Sequence, residues 1–169
     1  MLCEIIKESE DPMRRSKLDK IDKKILERLQ VDGRMTNVDL AHEVGISAPP
    51  CLRRVRSLEE KGYIKSYHAK VDPVILGYGV TLFALVKLTS QAEKDLKAFE
   101  EQVAAWPLVR ECHMLAGDVD YILKIVAKDW DNYQDFLTHH LTSAPNVTSV
   151  KTSLAVKTAK ELAGVPIDD

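Results

Sequence analysis

Three arginines fall within four positions, Arg53, Arg54 and Arg56, with Ser57 beside them and Ser47 and Pro50 just upstream. A planar guanidinium can grip guanine O6 and N7 bidentately or clamp a phosphate, so arginines grouped on a helix are the chemistry of a surface that contacts nucleic acid. A second group, Gly117, Asp118, Asp120 and Tyr121, with Thr152 as a weaker member, offers different chemistry. Exposed N–H groups can hold a carboxylate while an aspartate holds an ammonium, and these are the two ends of every amino acid. Gly and Asp are also ordinary turn formers, so a plain hairpin is the competing reading. His113, His139 and His140 lack metal spacing: Cys112-His113 and His139-His140 are adjacent pairs, and neighbours point apart on a strand or helix. No metal site, catalytic group, resident cofactor or Gly-rich phosphate loop is expected.

The arginines need a helix to present them, and residues 47–62 carry both a start and a stop. Ser47 is expected to cap the first turn with its side-chain oxygen. Pro49 and Pro50 fall where helical N–H groups have no intrahelical partner, and Gly62 can take the left-handed conformation that ends a helix. At about 100° per residue, Cys51, Leu52, Val55 and Leu58 share a packing side, while Arg53, Arg54 and Ser57 lie opposite and Arg56 flanks them. Cys51 is thereby a core residue rather than a redox sensor. Upstream, Thr36-Asn-Val-Asp39 resembles a capping box that opens a short helix, and Val44-Gly45-Ile46 turns the chain into the arginine helix. The pattern is a helix-turn-helix, and the starts at Thr36 and Ser47 are expected to anchor phosphates. An Arg-rich face alone is as often merely solvated. The helix and glycine turn before it favour double-stranded DNA as partner.

The chain has 169 residues, 45% hydrophobic and 30% charged, which is the composition of a globular protein with one ordinary domain or two small ones. Its net charge of −2 is unevenly spread. Residues 13–65 carry 13 Lys and Arg against 8 Asp and Glu, a net of +5, which leaves −7 for the remainder. A basic head on an acidic body suits a DNA-binding domain joined to one that binds something else. Three widely spaced cysteines, Cys3, Cys51 and Cys112, suggest neither a disulfide framework nor a zinc site, and fit a reducing cytoplasm. No apolar run approaches the roughly 18 residues of a membrane span, and the N-terminus has acids where a signal peptide would have a basic start. Residues 1–15 are expected to be a mobile extension. From Leu18, apolar residues at helical spacing (Ile21, Ile25, Leu26, Leu29) make a supporting helix, so the DNA-binding domain is placed at 16–62.

Residues 63–79 read as a linker with strand character, because Tyr63, Tyr67 and Val71 lie on one side of a period-2 pattern before Asp72-Pro73 breaks it. Residues 80–160 follow the order β-α-β-β-α-β: a strand at 80–88, a helix opened by a Ser90/Glu93 capping box with Ala92, Leu96, Phe99 and Val103 inward, strands at 109–116 and 121–127 joined by the 117–120 turn, a helix capped by Asp129, and a strand at 148–156. That order is ferredoxin-like, and the fold class is α+β, with a tail at 161–169. Two helices cover one face of a four-stranded sheet, yet Val80, Leu82, Ala84 and Val86 and the alternate Phe83 and Leu85 are all apolar. A second copy stacked sheet to sheet is the simplest cover, so a homodimer is expected.

Several strings together carry a family resemblance: Leu18-Asp-x-x-Asp-x-x-Ile-Leu-x-x-Leu-Gln, Asp32-Gly-Arg-Met-Thr-Asn, Pro50-Cys-Leu-Arg-Arg-Val-Arg, Gly62-Tyr-Ile, Gly117-Asp-Val-Asp-Tyr121 and the closing Gly164-Val-Pro-Ile. As a set, spanning roughly residues 17–166, they resemble the Lrp/AsnC (leucine-responsive, feast/famine) transcriptional regulators. The resemblance implies an N-terminal winged-helix-like helix-turn-helix domain, a C-terminal ferredoxin-like effector and oligomerisation domain, and dimers that often assemble into octamers. It also implies regulation by a small molecule, usually an amino acid, bound near Gly117–Tyr121 at a contact between dimers. Ala48-Pro49 replaces the commoner Pro-Thr of the family's Ser-Pro-Thr-Pro-Cys start, and Ser57 stands where many members have another Arg. Two alternatives share the frame: an enzyme similar to the siroheme decarboxylases, and a stand-alone amino-acid sensor.

Overall fold

The computed structural model describes residues 18–168; the extension expected at 1–15 lies outside them. The chain divides into two compact units, one running to Ala69 and joined by residues from Glu161 onward, the other Lys70–Lys160.

In the first unit, α1 (Lys20–Val31) starts at a complete capping box. The Asp19 side chain accepts from the N–H groups of Ile21 and Asp22 at 2.9 and 2.8 Å, and Asp22 accepts in return from the Asp19 N–H. α2 (Asn37–Val44) and α3 (Ala48–Glu60) follow, with Gly45 at φ 77° between them. The three helices enclose Ile25, Leu40, Ala41, Val44, Cys51 and Leu58, so Cys51 is core, and burial pushes its thiol pKa up. α3 ends as expected at Gly62, φ 74°, where the Gly62 N–H reaches the Glu59 carbonyl and the Tyr63 N–H reaches that of Leu58.

The strand character expected in the linker is not realised. Tyr63–Val71 has no ladder partner among the described residues, and an extended segment without one gains no strand hydrogen bonds. Tyr67 instead turns back to donate its hydroxyl to Glu59 Oε1 at 2.8 Å. The closing residues are not a separate tail. They belong to the first unit, where the Val165 N–H donates to Gln30 Oε1 at 2.6 Å and Lys23 Nζ to the Asp168 carbonyl at 2.5 Å.

The second unit is a four-stranded antiparallel sheet in the order β2-β3-β1-β4, built from β1 (Val80–Leu88), β2 (Val109–Met114), β3 (Tyr121–Ala127) and β4 (Val147–Leu154). α4 (Glu93–Ala105) and α5 (Trp130–Phe136), which runs on into a π-helical turn (Leu137–Leu141), supply the helical layer. Along β1, Leu82, Ala84, Val86 and Leu88 are buried, with Leu123, Ile125, Phe99, Val103, Tyr133 and Leu141 in the same core. Phe99 and Tyr121 pack tilted, 4.9 Å between ring centres, and Trp106 meets Phe136 edge-on at 5.4 Å. The alternate residues, Phe83 and the half-buried Leu85, Ile122 and Val126, form a second, only partly covered face.

The Ser90/Glu93 capping box does not form. The Ser90 hydroxyl accepts from the Ala92 N–H at 3.2 Å and donates to Asp95 at 2.6 Å, a tight turn that delays the helix to Glu93 and leaves Ala92 exposed. Asp129 does cap α5, accepting from the Asn132 N–H at 2.7 Å. β2 stops at Met114 because the next backbone bond, Leu115 N–H to the Asp120 carbonyl, closes the turn.

Asp120 ties that turn to the sheet. It is 6% exposed, and its side-chain oxygens accept from the Leu88 N–H and Gln91 Nε2, both at 2.6 Å. Asp120→Ala strands a buried N–H, so it is expected to cost about 1–3 kcal/mol, read as a lowered urea midpoint in a protein of unchanged secondary structure.

Candidate functional site

The start of α2 is a closed arrangement. The Thr36 hydroxyl accepts from the Asp39 N–H at 3.2 Å and donates to Asp39 Oδ2 at 2.6 Å, which uses the hydroxyl and places an acidic group at the helix start. This disfavours a phosphate there, contrary to the expectation for Thr36. Next to it, Asn37 Nδ2 donates to the Ala48 carbonyl at 2.8 Å and so clamps the first residue of α3 to the first turn of α2. The sequence carried no separate sign of this clamp.

Ser47 stands at the N-cap of α3 but makes no capping bond. The reason is covalent: a cap hydroxyl accepts from the N–H of the second or third helical residue, and those are Pro49 and Pro50, which have none. The exposed Ser47 hydroxyl has no hydrogen-bond partner among the described residues, and the helix start offers fewer N–H donors than a proline-free one. Pro50 is half-buried in the head.

The rotation of α3 differs from the sequence expectation. Cys51 and Leu58 are its two buried residues, and with their direction as zero, Val55 and Arg54 lie on the flanks and Pro49, Leu52, Arg53 and Arg56 point outward. Leu52, assigned to the packing side, is 39% exposed. Arg54, assigned outward, turns onto α1, where its Nη1 sits 2.7 Å from Asp19 Oδ2 and 2.7 Å from Asp22 Oδ1. The Asp22 N–H, and then Arg54, hold the Asp19 carboxyl below its usual range, and Arg54 is raised chiefly by its bond to Asp22. Ser57 is half-buried and lines an open cleft of about 370 Å³ with Leu18, Asp22, Pro50, Arg54 and the exposed Arg53. Arg53 and Arg56 remain exposed and make no ion pair among the described residues. Averaging all four apolar positions set the expected phase wrongly; weighting Cys51 and Leu58, one heptad apart, would have found Leu52 outside.

The second candidate group does not converge. Gly117 and Asp118 are exposed on the turn, whereas Asp120 is engaged within its own fold. Tyr121 is buried on β3 and donates its hydroxyl to Glu100 Oε1 at 2.8 Å, and burial raises its pKa. Thr152 is half-buried on β4, hydrogen-bonded to the Tyr133 hydroxyl. Gly117 has an ordinary φ and open space where a Cβ would project, so nothing among the described residues demands glycine there. No group of three or more metal-ligating side chains occurs among the described residues. No described helix is long and apolar enough to cross a membrane.

A helix-turn-helix with outward arginines, joined to a βαββαβ domain with an exposed turn, defines a two-domain DNA-binding regulator. Residues 18–65 match the winged helix-turn-helix DNA-binding family and residues 81–165 the Lrp/AsnC ligand binding domain family. The chain is 49% identical over 153 residues to the leucine-responsive regulatory protein of Rhizobium meliloti strain 1021, covering 90% of this chain and 98% of that one. It is 42% identical over 152 residues to the Bkd operon transcriptional regulator of Pseudomonas aeruginosa, covering 90% and 99%. A transcriptional regulator of Neisseria meningitidis, solved as its complex with L-Met, superposes with a TM-score of 0.86 at 34% identity, covering 90% of this chain and 98% of that one. The chain belongs to the Lrp/AsnC family of transcriptional regulators. It is a DNA-binding regulator rather than an enzyme, and its relatives carry regulators' names.

Arg54→Ala is expected to destabilise the protein by roughly 0.5–1 kcal/mol, the scale of a partly exposed ion-pair network. Because Asp19 is lowered, its share of the tie is present above the ordinary aspartate range and is lost as pH falls through the lowered value. Thermal melts of wild type and variant should therefore differ at neutral pH and converge in acid.

Proposed function

We propose that α3 enters the major groove through its outward side, with Arg53 and Arg56 as the base or phosphate contacts and the Ser47 hydroxyl as a phosphate contact at the helix start. The observation that carries this reading is that Arg53 and Arg56 are exposed and make no ion pair among the described residues, while Arg54 is held by Asp19 and Asp22. Arg54, Thr36, Pro50 and Ser57 then shape and fix the reading head within a DNA-binding domain at residues 16–62, rather than touching DNA.

The 80–160 domain is the effector and oligomerisation domain, and the effector is an amino acid. The L-Met complex of the Neisseria meningitidis regulator supports this ligand class. Gly117 and Asp118, exposed on the turn, with no partner for Asp118 among the described residues and open space where a Gly117 side chain would project, support its place. Asp120, Tyr121 and Thr152 then support the turn and sheet from within. The protein works in the cytoplasm as a homodimer through the partly covered sheet face, and the dimers assemble further, octamers being what the family resemblance implies. A ligand that binds one assembly better than another redistributes them, and the coupling to DNA affinity is modest, typically about 1–3 kcal/mol. Two recognition helices in one dimer read half-sites about 34–36 Å apart.

Arg53→Ala and Arg56→Ala are expected to weaken DNA binding by about 1–3 kcal/mol where the lost contact is to a base, and to flatten the log affinity against log salt slope by about one where it is to phosphate. Arg54→Ala should leave that slope unchanged. Salt titrations of the three variants decide it: unchanged binding by the first two removes α3's outward side from the interface.

For the effector, Asp118→Ala should still bind DNA but lose its response when each of the twenty amino acids is added in turn, measured by DNA affinity and sedimentation. Wild type indifferent to all of them, or a variant that responds fully, would leave the turn without a ligand. Leu85→Lys on the partly covered sheet face should shift the sedimenting species toward monomer, and unaltered assembly would place the dimer contact elsewhere.

A further inference from the structure

The outward side of α3 is not purely polar. Leu52 is 39% exposed, is absent from the apolar residues that line the head's core, and shares that side with the exposed Pro49. Single exposed leucines are common on protein surfaces, so exposure alone says little. Its position says more. Leu52 lies four residues before Arg56 and next to Arg53, and residues four apart on a helix are neighbours on one face. Any groove that admits the Arg56 guanidinium must admit the Leu52 side chain one turn nearer the helix start. That end of a recognition helix is the one that approaches base edges.

We infer that Leu52, backed by Pro49, reads a thymine through its 5-methyl group. The inference rests on the reading of α3 above and adds to it the base that one position of each half-site requires. In the major groove every edge of guanine, cytosine and adenine presents hydrogen-bond donors or acceptors, and a leucine pressed against them displaces water without replacing its bonds. Thymine alone among the four offers an apolar group there. A leucine beside two arginines thus selects thymine at its own position while the arginines select guanine or hold phosphate at theirs. The Pro49 ring, with no N–H to satisfy, supplies a second apolar surface on the same side.

The test uses the full-length protein and a duplex selected by that protein for tight binding. Each thymine of the site is replaced in turn by deoxyuridine, which removes the methyl and leaves the pairing edge intact. Wild type should lose about three- to six-fold in affinity, the scale of one buried methyl, at one thymine in each half-site. Leu52→Ala should bind the original duplex more weakly and be insensitive to deoxyuridine at that same thymine. Leu52→Met, which keeps an apolar reach, should restore the discrimination, and it controls for folding. Wild type indifferent to every substitution overturns the inference. So does a Leu52→Ala protein that discriminates as wild type does. Failure of the underlying reading looks different, because Arg53→Ala and Arg56→Ala would then also leave DNA affinity unchanged.

Discussion

The burial of Cys51 and Leu58 against Ile25, Leu40 and Val44 fixes the rotation of α3, and the functional layout of the head follows from it. A helix is a rigid body about its own axis, so two buried positions seven residues apart determine where all its other side chains point. They send Arg54 and Ser57 toward α1 and Pro49, Leu52, Arg53 and Arg56 to solvent. The Arg54 bridge to Asp19 and Asp22 adds a second tie at the helix flank, and Asn37 adds a third at its start. Asp19 and Asp22 serve twice, capping α1 and holding Arg54. This economy couples the start of the first helix to the pose of the reading helix.

The second unit shows the same division between groups that hold and groups that are offered. Asp120 and Tyr121 sit beside the exposed turn, but their polar atoms are taken by Leu88, Gln91 and Glu100. Buried polar groups that are fully satisfied rigidify their surroundings. They make a fixed base from which Gly117 and Asp118 project. Opposite the helical layer, the partly covered sheet face mixes apolar Phe83, Leu85, Ile122 and Val126 with the Lys124–Glu111 ion pair at 2.7 Å.

Much of this was legible in the chain. Helical spacing from Leu18 to Leu29, the glycines at 45 and 62 and the alternation in β1 gave the element order and the α+β class, because local periodicity and left-handed caps are sequence properties. What was not legible depends on partners distant in sequence. Arg54 finds acids 32 and 35 residues away, which no helical wheel of 47–62 includes. Asp120 meets Leu88 32 residues upstream, so its type, read alone, suggested a ligand group. Ser47 takes the expected N-cap position, but the two prolines that mark the helix start also delete the N–H groups its hydroxyl would accept from. The linker's period-2 pattern was real, but a strand is a property of pairs.

In the proposed reading Arg53 and Arg56 are offered to DNA while Arg54 is held by Asp19 and Asp22. Arginine-selective modification with phenylglyoxal, mapped by mass spectrometry with and without a bound duplex, tests it in the intact assembly. Arg53 and Arg56 should react readily in the free protein and be protected by DNA, whereas Arg54 should react slowly in both states. An Arg54 as reactive as its neighbours and protected only by DNA, or Arg53 and Arg56 left unprotected in the complex, would contradict it.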